Sequence, residues 1–289
     1  MEEIRLGVIG GSGVYDMETL QDVREVQVKT PFGDPSDAIV VGTLSDVRVA
    51  FLPRHGHGHR IMPSEVNSRA NIYALKSLGV QYIVSISACG SMREDYAPRH
   101  IVIPDQIFDR TKARPSTFFG NGLVAHISFD EPYCPTFSEL VYQAVKKTGA
   151  TVHKGGTFLV IEGPQFSTKA ESRIYRQWGV DIIGMTALPE AKLAREAEIC
   201  YATMAHVTDY DVWHETEEPV TVAMLIENLL ANAAVTKEAL TYLAPMAAAQ
   251  GERTCKCASA LATAIITQRD LIPEAVKKDL GLLINKYVQ

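Results

Sequence analysis

Asp209 and Asp211 stand two residues apart, just beyond the apolar run Ile199–Ala205. Two carboxylates held together repel unless a cation or hydrogen-bond donor comes between them, or one keeps its proton. Such a pair can grip a ligand that offers donors, or hand a proton to it. It can equally be a solvated turn, because aspartate is a routine turn residue. If the segment stays extended, alternation puts both carboxyls on one side.

Other stretches offer complementary chemistry. Gly10-Gly11-Ser12-Gly13 follows an apolar run but lacks the last glycine of G-x-G-x-x-G, and no Walker lysine follows. A dinucleotide is therefore unsupported. The better reading is a tight loop that turns backbone N–H groups and the Ser12 hydroxyl toward an anion. Arg54-His55 adds a guanidinium fork matched to phosphate, plus an imidazole. His55, His57 and His59 alternate as metal ligands do, but glycines separate them and no acid or cysteine completes a shell, so no metal is expected there. Ser87-Ala88-Cys89-Gly90 is not G-x-S-x-G, which weakens a hydrolase reading.

Cys89, Cys134 and Cys200 occur singly in apolar surroundings and read as small buried hydrophobes. Cys255-Lys256-Cys257 is different: it can be a close-range disulfide, half of a soft-metal site, or neither. No second Cys or His pair lies near it in sequence, which favours the disulfide over the metal.

These residues need elements to position them. Ile4–Ile9, Ala38–Leu44, Val47–Leu52, Tyr82–Ala88, Ile101–Phe108, Thr157–Glu162, Asp181–Ile183 and Glu198–Val207 read as strands, with Pro104 making one irregular. Pro63–Leu78, Thr136–Thr148, Thr168–Trp178, Pro189–Ala197, Val220–Leu243, Ala258–Thr267 and Pro273–Ile284 read as helices. Arg110–Pro135 has no periodicity and reads as a long loop, of a kind that tends to serve function or an interface. The alternation predicts an α/β fold: a mixed, mostly parallel central sheet flanked by helices. Ligands of such folds gather at the carboxyl ends of the strands. There fall Gly10–Gly13, Arg54-His55, Ser87-Ala88, Phe166-Ser167, Met185-Thr186 and the two aspartates.

The 289 residues are read as one domain, 1–289, with a helical C-terminal part from about residue 245. A net charge of −6 argues against nucleic acid as a partner. The opening MEEIRLGVIGG has too short an apolar run for a signal peptide or membrane anchor, so a cytoplasmic protein with no membrane partner is expected.

The motifs Gly-Gly-Ser-Gly, Pro-Arg-His-Gly, Ile-Met-Pro-Ser-Glu-Val-Asn, Ser-Ala-Cys-Gly-Ser, Asp-Arg-Thr, Glu-Gly-Pro-Gln-Phe-Ser, Gly-Met-Thr and Thr-Asp-Tyr-Asp-x-Trp occur in one order between Ile4 and Leu243. In that order the chain resembles the trimeric branch of the purine nucleoside phosphorylase superfamily. The resemblance implies phosphorolysis of a nucleoside, 5′-methylthioadenosine foremost, to adenine and 5-methylthioribose 1-phosphate. A broader or 6-oxopurine-preferring phosphorylase is the alternative, and a non-catalytic nucleoside-binding protein stands outside the enzyme class.

By the same resemblance, Ser12, Arg54, His55, Ser87, Ala88 and Thr186 would hold phosphate. Met185 and His59 would meet the ribose, and Phe166 and Ser167 the purine. Val222 and Leu225 would line the 5′-methylthio pocket. Asp209 and Asp211 would face the imidazole edge and exocyclic amine of adenine, one of them donating a proton to N7. His126 would reach a neighbouring subunit's site in a trimer or dimer of trimers. Inorganic phosphate is a co-substrate, and neither metal nor organic cofactor is implied. Cys255-x-Cys257 resembles a feature of thermophilic archaeal members and implies a disulfide that resists heat. Gly184 and Gln165 depart from the asparagine and arginine of many relatives.

Overall fold

A computed structural model describes residues 4–11, 14, 17–214 and 222–288, with the side chains of 222–227 and 229–231 excluded. The strands are β1 (Leu6–Gly10), β2 (Gln21–Val26), β3 (Ile39–Leu44), β4 (Val47–Pro53), β5 (Tyr82–Ser91), β6 (Ile101–Ile103), β7 (Gln106–Arg110), β8 (Val152–Lys154), β9 (Thr157–Ile161), β10 (Ile182–Gly184) and β11 (Cys200–Asp209). The helices are α1 (Ser68–Ser77), α2 (Pro135–Lys147), α3 (Lys169–Gln177), α4 (Glu190–Glu196), α5 (Val222–Ala248) and α6 (Glu274–Ile284).

The strands form one mixed sheet, ordered β2-β3-β4-β1-β5-β10-β9-β7, with β11, β6 and β8 branching from β5. Parallel pairs predominate, and β2–β3, β3–β4, β5–β10 and β6–β11 run antiparallel. This is the expected fold class.

Both faces are covered, which is why β11 is buried at all ten positions and is mostly apolar up to Val207. Its side chains alternate between two cores. Tyr201, Ala205 and Val207 join α1, α4 and α6 through Leu75, Leu193 and Leu283. Cys200, Ala202 and Met204 join α2 and α5 through Phe137, Val141 and Leu240.

Local signals decide several boundaries. The β3–β4 hairpin turns at Ser45 and Asp46, both at positive φ (49° and 62°). α3 begins with a reciprocal capping box, Thr168 accepting from Glu171 N–H while the Glu171 carboxylate accepts from Thr168 N–H.

Three expectations need correction, and two strands, β2 and β8, were not expected. Ile101–Phe108 is two strands, since Pro104 has no N–H for a ladder. β2 escaped notice because it is solvent-facing and has no apolar alternation, and β8 because it has three residues. Ala258–Thr267 is not an α-helix: a short 3-10 turn covers Lys256–Ser259. Its neighbouring backbone donors go to tertiary partners instead, Leu261 N–H to Glu198 and Ile266 N–H to Val124 O. Cys255 and Cys257 are not joined in a disulfide.

Candidate active site

β5 positions the site. Its first residues pair with β1 as far as Ser85, and its last, Gly90 and Ser91, pair with β10. Between them, Ile86–Cys89 border a gap where β1 has ended and β10 has not begun. Ile86 O points into this gap and takes a hydrogen bond from Arg54 Nη1 (2.9 Å). Ala88, two residues on, shows its backbone N–H and C=O on the same edge. A strand with an unpaired edge amid buried polar side chains is a place for a ligand.

One end of the gap suits an anion. Thr186 Oγ1 donates to Ser87 Oγ (2.8 Å), Ser87 lies 3.3 Å from Ser85 Oγ, and Ser85 accepts from Arg54 Nη2 (2.7 Å). Arg54 is not the open fork its sequence position predicts. It is buried and holds Glu190 with two prongs, Nε to Oε1 (2.5 Å) and Nη2 to Oε2 (3.2 Å). With the carbonyls of Ile9 and Ile86 also bound, one Nη1 hydrogen is uncommitted among the described residues. Glu190 also accepts from Tyr201 Oη (2.9 Å).

His55 lies beside this pair, its Nδ1 2.8 Å from Ile61 O. A carbonyl only accepts, so Nδ1 carries the proton. Burial, reinforced by the Arg54 charge, pushes the imidazole down to about pH 4. It is neutral near pH 7, and Nε2 offers a lone pair.

The acids lie farther along β5, carried by the strand on its opposite edge. Asp209 ends β11, paired with Gly90 of β5. Its Oδ2 accepts from Thr208 Oγ1 (2.6 Å), and its Oδ1 accepts from Asp211 N–H (2.7 Å). That second bond is an Asx-turn. The chain leaves the extended conformation here, with Asp211 at φ 53°, so a turn and not strand alternation brings the two acids together. Both carboxyls are buried and raised above the ordinary aspartate range, by burial first and, for Asp209, also by the charge of Asp211. Asp211 Oδ2 and Ser167 Oγ are buried without a hydrogen bond among the described residues.

From Ser87 to Gly90 is roughly 10 Å of strand, a span on the scale of a nucleoside. An anion subsite and an acid subsite spaced along one strand are the arrangement expected of an enzyme that transfers a glycosyl group to phosphate. Residues 5–243 match the model of the phosphorylase superfamily. The chain belongs to this superfamily.

Curated relatives agree. The S-methyl-5′-thioadenosine phosphorylase of Geobacter sulfurreducens is 56% identical over the whole of both chains. That of Koribacter versatilis is 55% identical, covering 99% of this chain and 97% of the relative. Among solved structures, a methylthioadenosine phosphorylase from an antarctic soil metagenomic library superposes with TM-score 0.94 at 47% identity, over 98% of this chain and all of that one. The methylthioadenosine phosphorylase of Schistosoma mansoni, solved with adenine, gives 0.83 at 35% identity, over 98% of each chain.

Within this phosphorylase, the fold gathers Arg54, His55, Met185 and Thr186 around one small cavity with Glu190 and Arg114. Phe166 and Ser167 line a second, wider cavity with Glu162 and Tyr175. Phe166 is about half exposed. Met185 lies at the seam, over Gly163, where a β-carbon would sit 2.4 Å from its sulfur.

His59 is exposed and stacked on His55 (centroids 4.4 Å apart), outside the first cavity's lining. His126 is exposed and lines neither cavity; its N–H is bound to Ala264 O. Ser12 lies outside the described residues. Val222 and Leu225 begin α5, but their side chains lie outside the described residues.

Sequence reasoning missed several partners. Glu190 and Ser85 neutralise and orient Arg54; Ser85 was discoverable, since it shares a strand face with Ser87. Thr208 orients Asp209. Arg114, from the long loop, donates to the carbonyls of Ile161, Glu162, Met185 and Leu188 and so ties together the segments carrying Met185 and Phe166. Gly184, the departure from relatives, has no room for a side chain: its β-carbon would lie 2.9 Å from the Phe158 ring.

Proposed function

We propose that the chain catalyses phosphorolysis of 5′-methylthioadenosine, giving adenine and 5-methylthioribose 1-phosphate. The observation that carries this reading is that β5 brings the Ser87–Thr186–Arg54 group and, three residues on at Gly90, Asp209 of the adjoining β11 into one stretch of sheet. The names of the curated relatives support the nucleoside.

In the reaction a phosphate oxygen bonds to C1′ while the C1′–N9 bond breaks and its electron pair moves into the purine. Phosphate is held by the hydroxyls of Ser12, Ser87 and Thr186, the Ala88 N–H and the remaining Arg54 Nη1 hydrogen. His55, neutral with its lone pair on Nε2, accepts the P–OH hydrogen of a monoprotonated or diprotonated phosphate. Met185 packs beneath the ribose, with His59 near the same hydroxyls, and Phe166 against the base. Val222 and Leu225 line the methylthio pocket.

The leaving purine needs a proton at N7. A buried carboxyl with a raised pKa keeps one at higher pH than an exposed aspartate does. Asp209 supplies it and Asp211 accepts from the exocyclic amine, which favours a 6-aminopurine over a 6-oxopurine. Ser167, beside Asp211, offers a hydroxyl where a 6-oxopurine site would need a carboxylate.

We infer further that the enzyme works as a trimer or dimer of trimers in the cytoplasm. His126 stands exposed and apart from both cavities, as a residue serving a neighbouring subunit would. The exposed Phe108–Trp178 pair (centroids 5.6 Å apart) is apolar surface of the kind subunits cover.

The test is adenine release from 5′-methylthioadenosine with and without added phosphate, alongside kcat/KM for inosine. Phosphate-dependent release and preference for the aminopurine are expected. Release without phosphate would mean hydrolysis, and no release would mean binding only.

A further inference from the structure

The sulfurs of Cys134, Cys200, Cys255 and Cys257 all lie within 4.8 Å of one another. They arrive from three separate parts of the chain. Cys134 is the N-cap of α2, Cys200 opens β11, and Cys255 and Cys257 bracket the start of the 3-10 turn that follows α5. Backbone bonds fix the first two in place, Cys134 N–H to Tyr201 O and Cys200 N–H to Gln81 O. Cys134, Cys200 and Cys257 are buried and Cys255 is half-buried.

We propose that these four cysteines bind one zinc ion in a closed tetrahedral site that clamps the C-terminal segment onto the sheet. Four independent apolar positions would have no reason to aim their sulfurs at a common point. A tetrahedral zinc–thiolate centre requires it: Zn–S bonds of about 2.3 Å place the sulfurs ~3.8 Å apart. Cys200 and Cys255 Sγ are 3.4 Å apart, much nearer that spacing than the ~2.05 Å of a disulfide. An all-sulfur set selects a soft or borderline cation over magnesium, calcium or manganese. With four protein ligands there is no open position, so the site is structural and takes no part in phosphorolysis.

Binding converts four thiols and Zn²⁺ into a tetrathiolate of charge −2 and releases four protons. An arginine meets that charge. Arg253 Nη1 lies 3.8 Å from Cys200 Sγ. The second cysteine pair that the sequence near Cys255-x-Cys257 lacks is supplied by the fold from 55 or more residues away.

The experiment measures zinc by mass-spectrometric elemental analysis on the full-length protein after dialysis, and counts its thiols under non-reducing conditions. About one zinc per chain is expected, released as a mercurial reagent titrates the thiols. Apo-protein refilled with Co²⁺ should show the intense thiolate-to-cobalt and ligand-field bands of a tetrahedral centre, and the metal-free chain should melt roughly 10 °C lower. Cys257→Ser and Cys134→Ser should each cut zinc content at least tenfold. Should either variant fail to fold, the cobalt spectrum of the unaltered chain decides. Zinc below a tenth of an ion per chain with four reactive thiols overturns the proposal. So does a metal-free intact mass lower by two or four hydrogens, which would reveal disulfides.

Discussion

Arg54 and Glu190 form a buried two-pronged ion pair, 2.5 and 3.2 Å, at the foot of the anion subsite. The pair reconciles two demands: the proposed reaction needs a guanidinium at the phosphate, yet a lone buried cation is costly. Glu190→Ala should therefore destabilise the fold by about 3–5 kcal/mol, since it strands the Arg54 charge. Urea unfolding of the variant checks this, and a loss under 1 kcal/mol would mean Arg54 finds water.

Asp209→Asn keeps the shape of the acid subsite but cannot supply a proton from a carboxyl. A fall in kcat/KM for 5′-methylthioadenosine of about 100- to 10,000-fold is expected, with the ratio to inosine shifting toward inosine. The pH dependence has a definite sign. Asp209 is raised by burial, so the unaltered enzyme should lose kcat as pH rises through that elevated pKa and the proton leaves. The variant should lack this alkaline limb. A limb that survives in Asp209→Asn assigns the proton to another group.

Gly90 is where β5 passes beneath Asp209: a β-carbon there would lie 2.8 Å from Oδ1. Gly90→Ala should push the carboxyl off its Asx-turn, lowering kcat while phosphate affinity, set three residues earlier on the strand, holds. Steady-state kinetics with each substrate varied separates the two. Equal damage to both would point to a general collapse of β5.

Glu196 bears on stability, not chemistry. Its carboxylate accepts from Thr117 Oγ1 and Phe118 N–H, both at 2.7 Å, yet burial raises it to about 7. An unfolded glutamate titrates near ~4.3, so between those values the folded chain holds a proton the unfolded chain has lost. Stability from this group is full below about pH 4 and declines as pH rises to about 7. Glu196→Gln should flatten the melting-temperature profile across that window. An unchanged slope would show that Glu196 ionises normally.

Most of the strands, the mixed parallel sheet and the motif order were legible because they rest on local periodicity and on short connections whose residue types dictate turns. The places of Asp209, Thr186 and Arg54 were legible for the same reason, each falling at or just past the end of its strand, while Ser87 lies inside β5, which runs on to Ser91. The sequence could not show that Asp211 is brought round by an Asx-turn, because strand and turn read alike over three residues. Nor could it show that Arg54 is already paired, since Glu190 lies 136 residues along the chain. The same limit hid the thiol cluster. Cys134 and Cys255 are remote in sequence, and only the packing of α2, β11 and the C-terminal segment around one sheet makes them neighbours. Local sequence specifies which groups are available at a strand end; the long-range pairing of β5 with β1, β10 and β11 decides which of them meet.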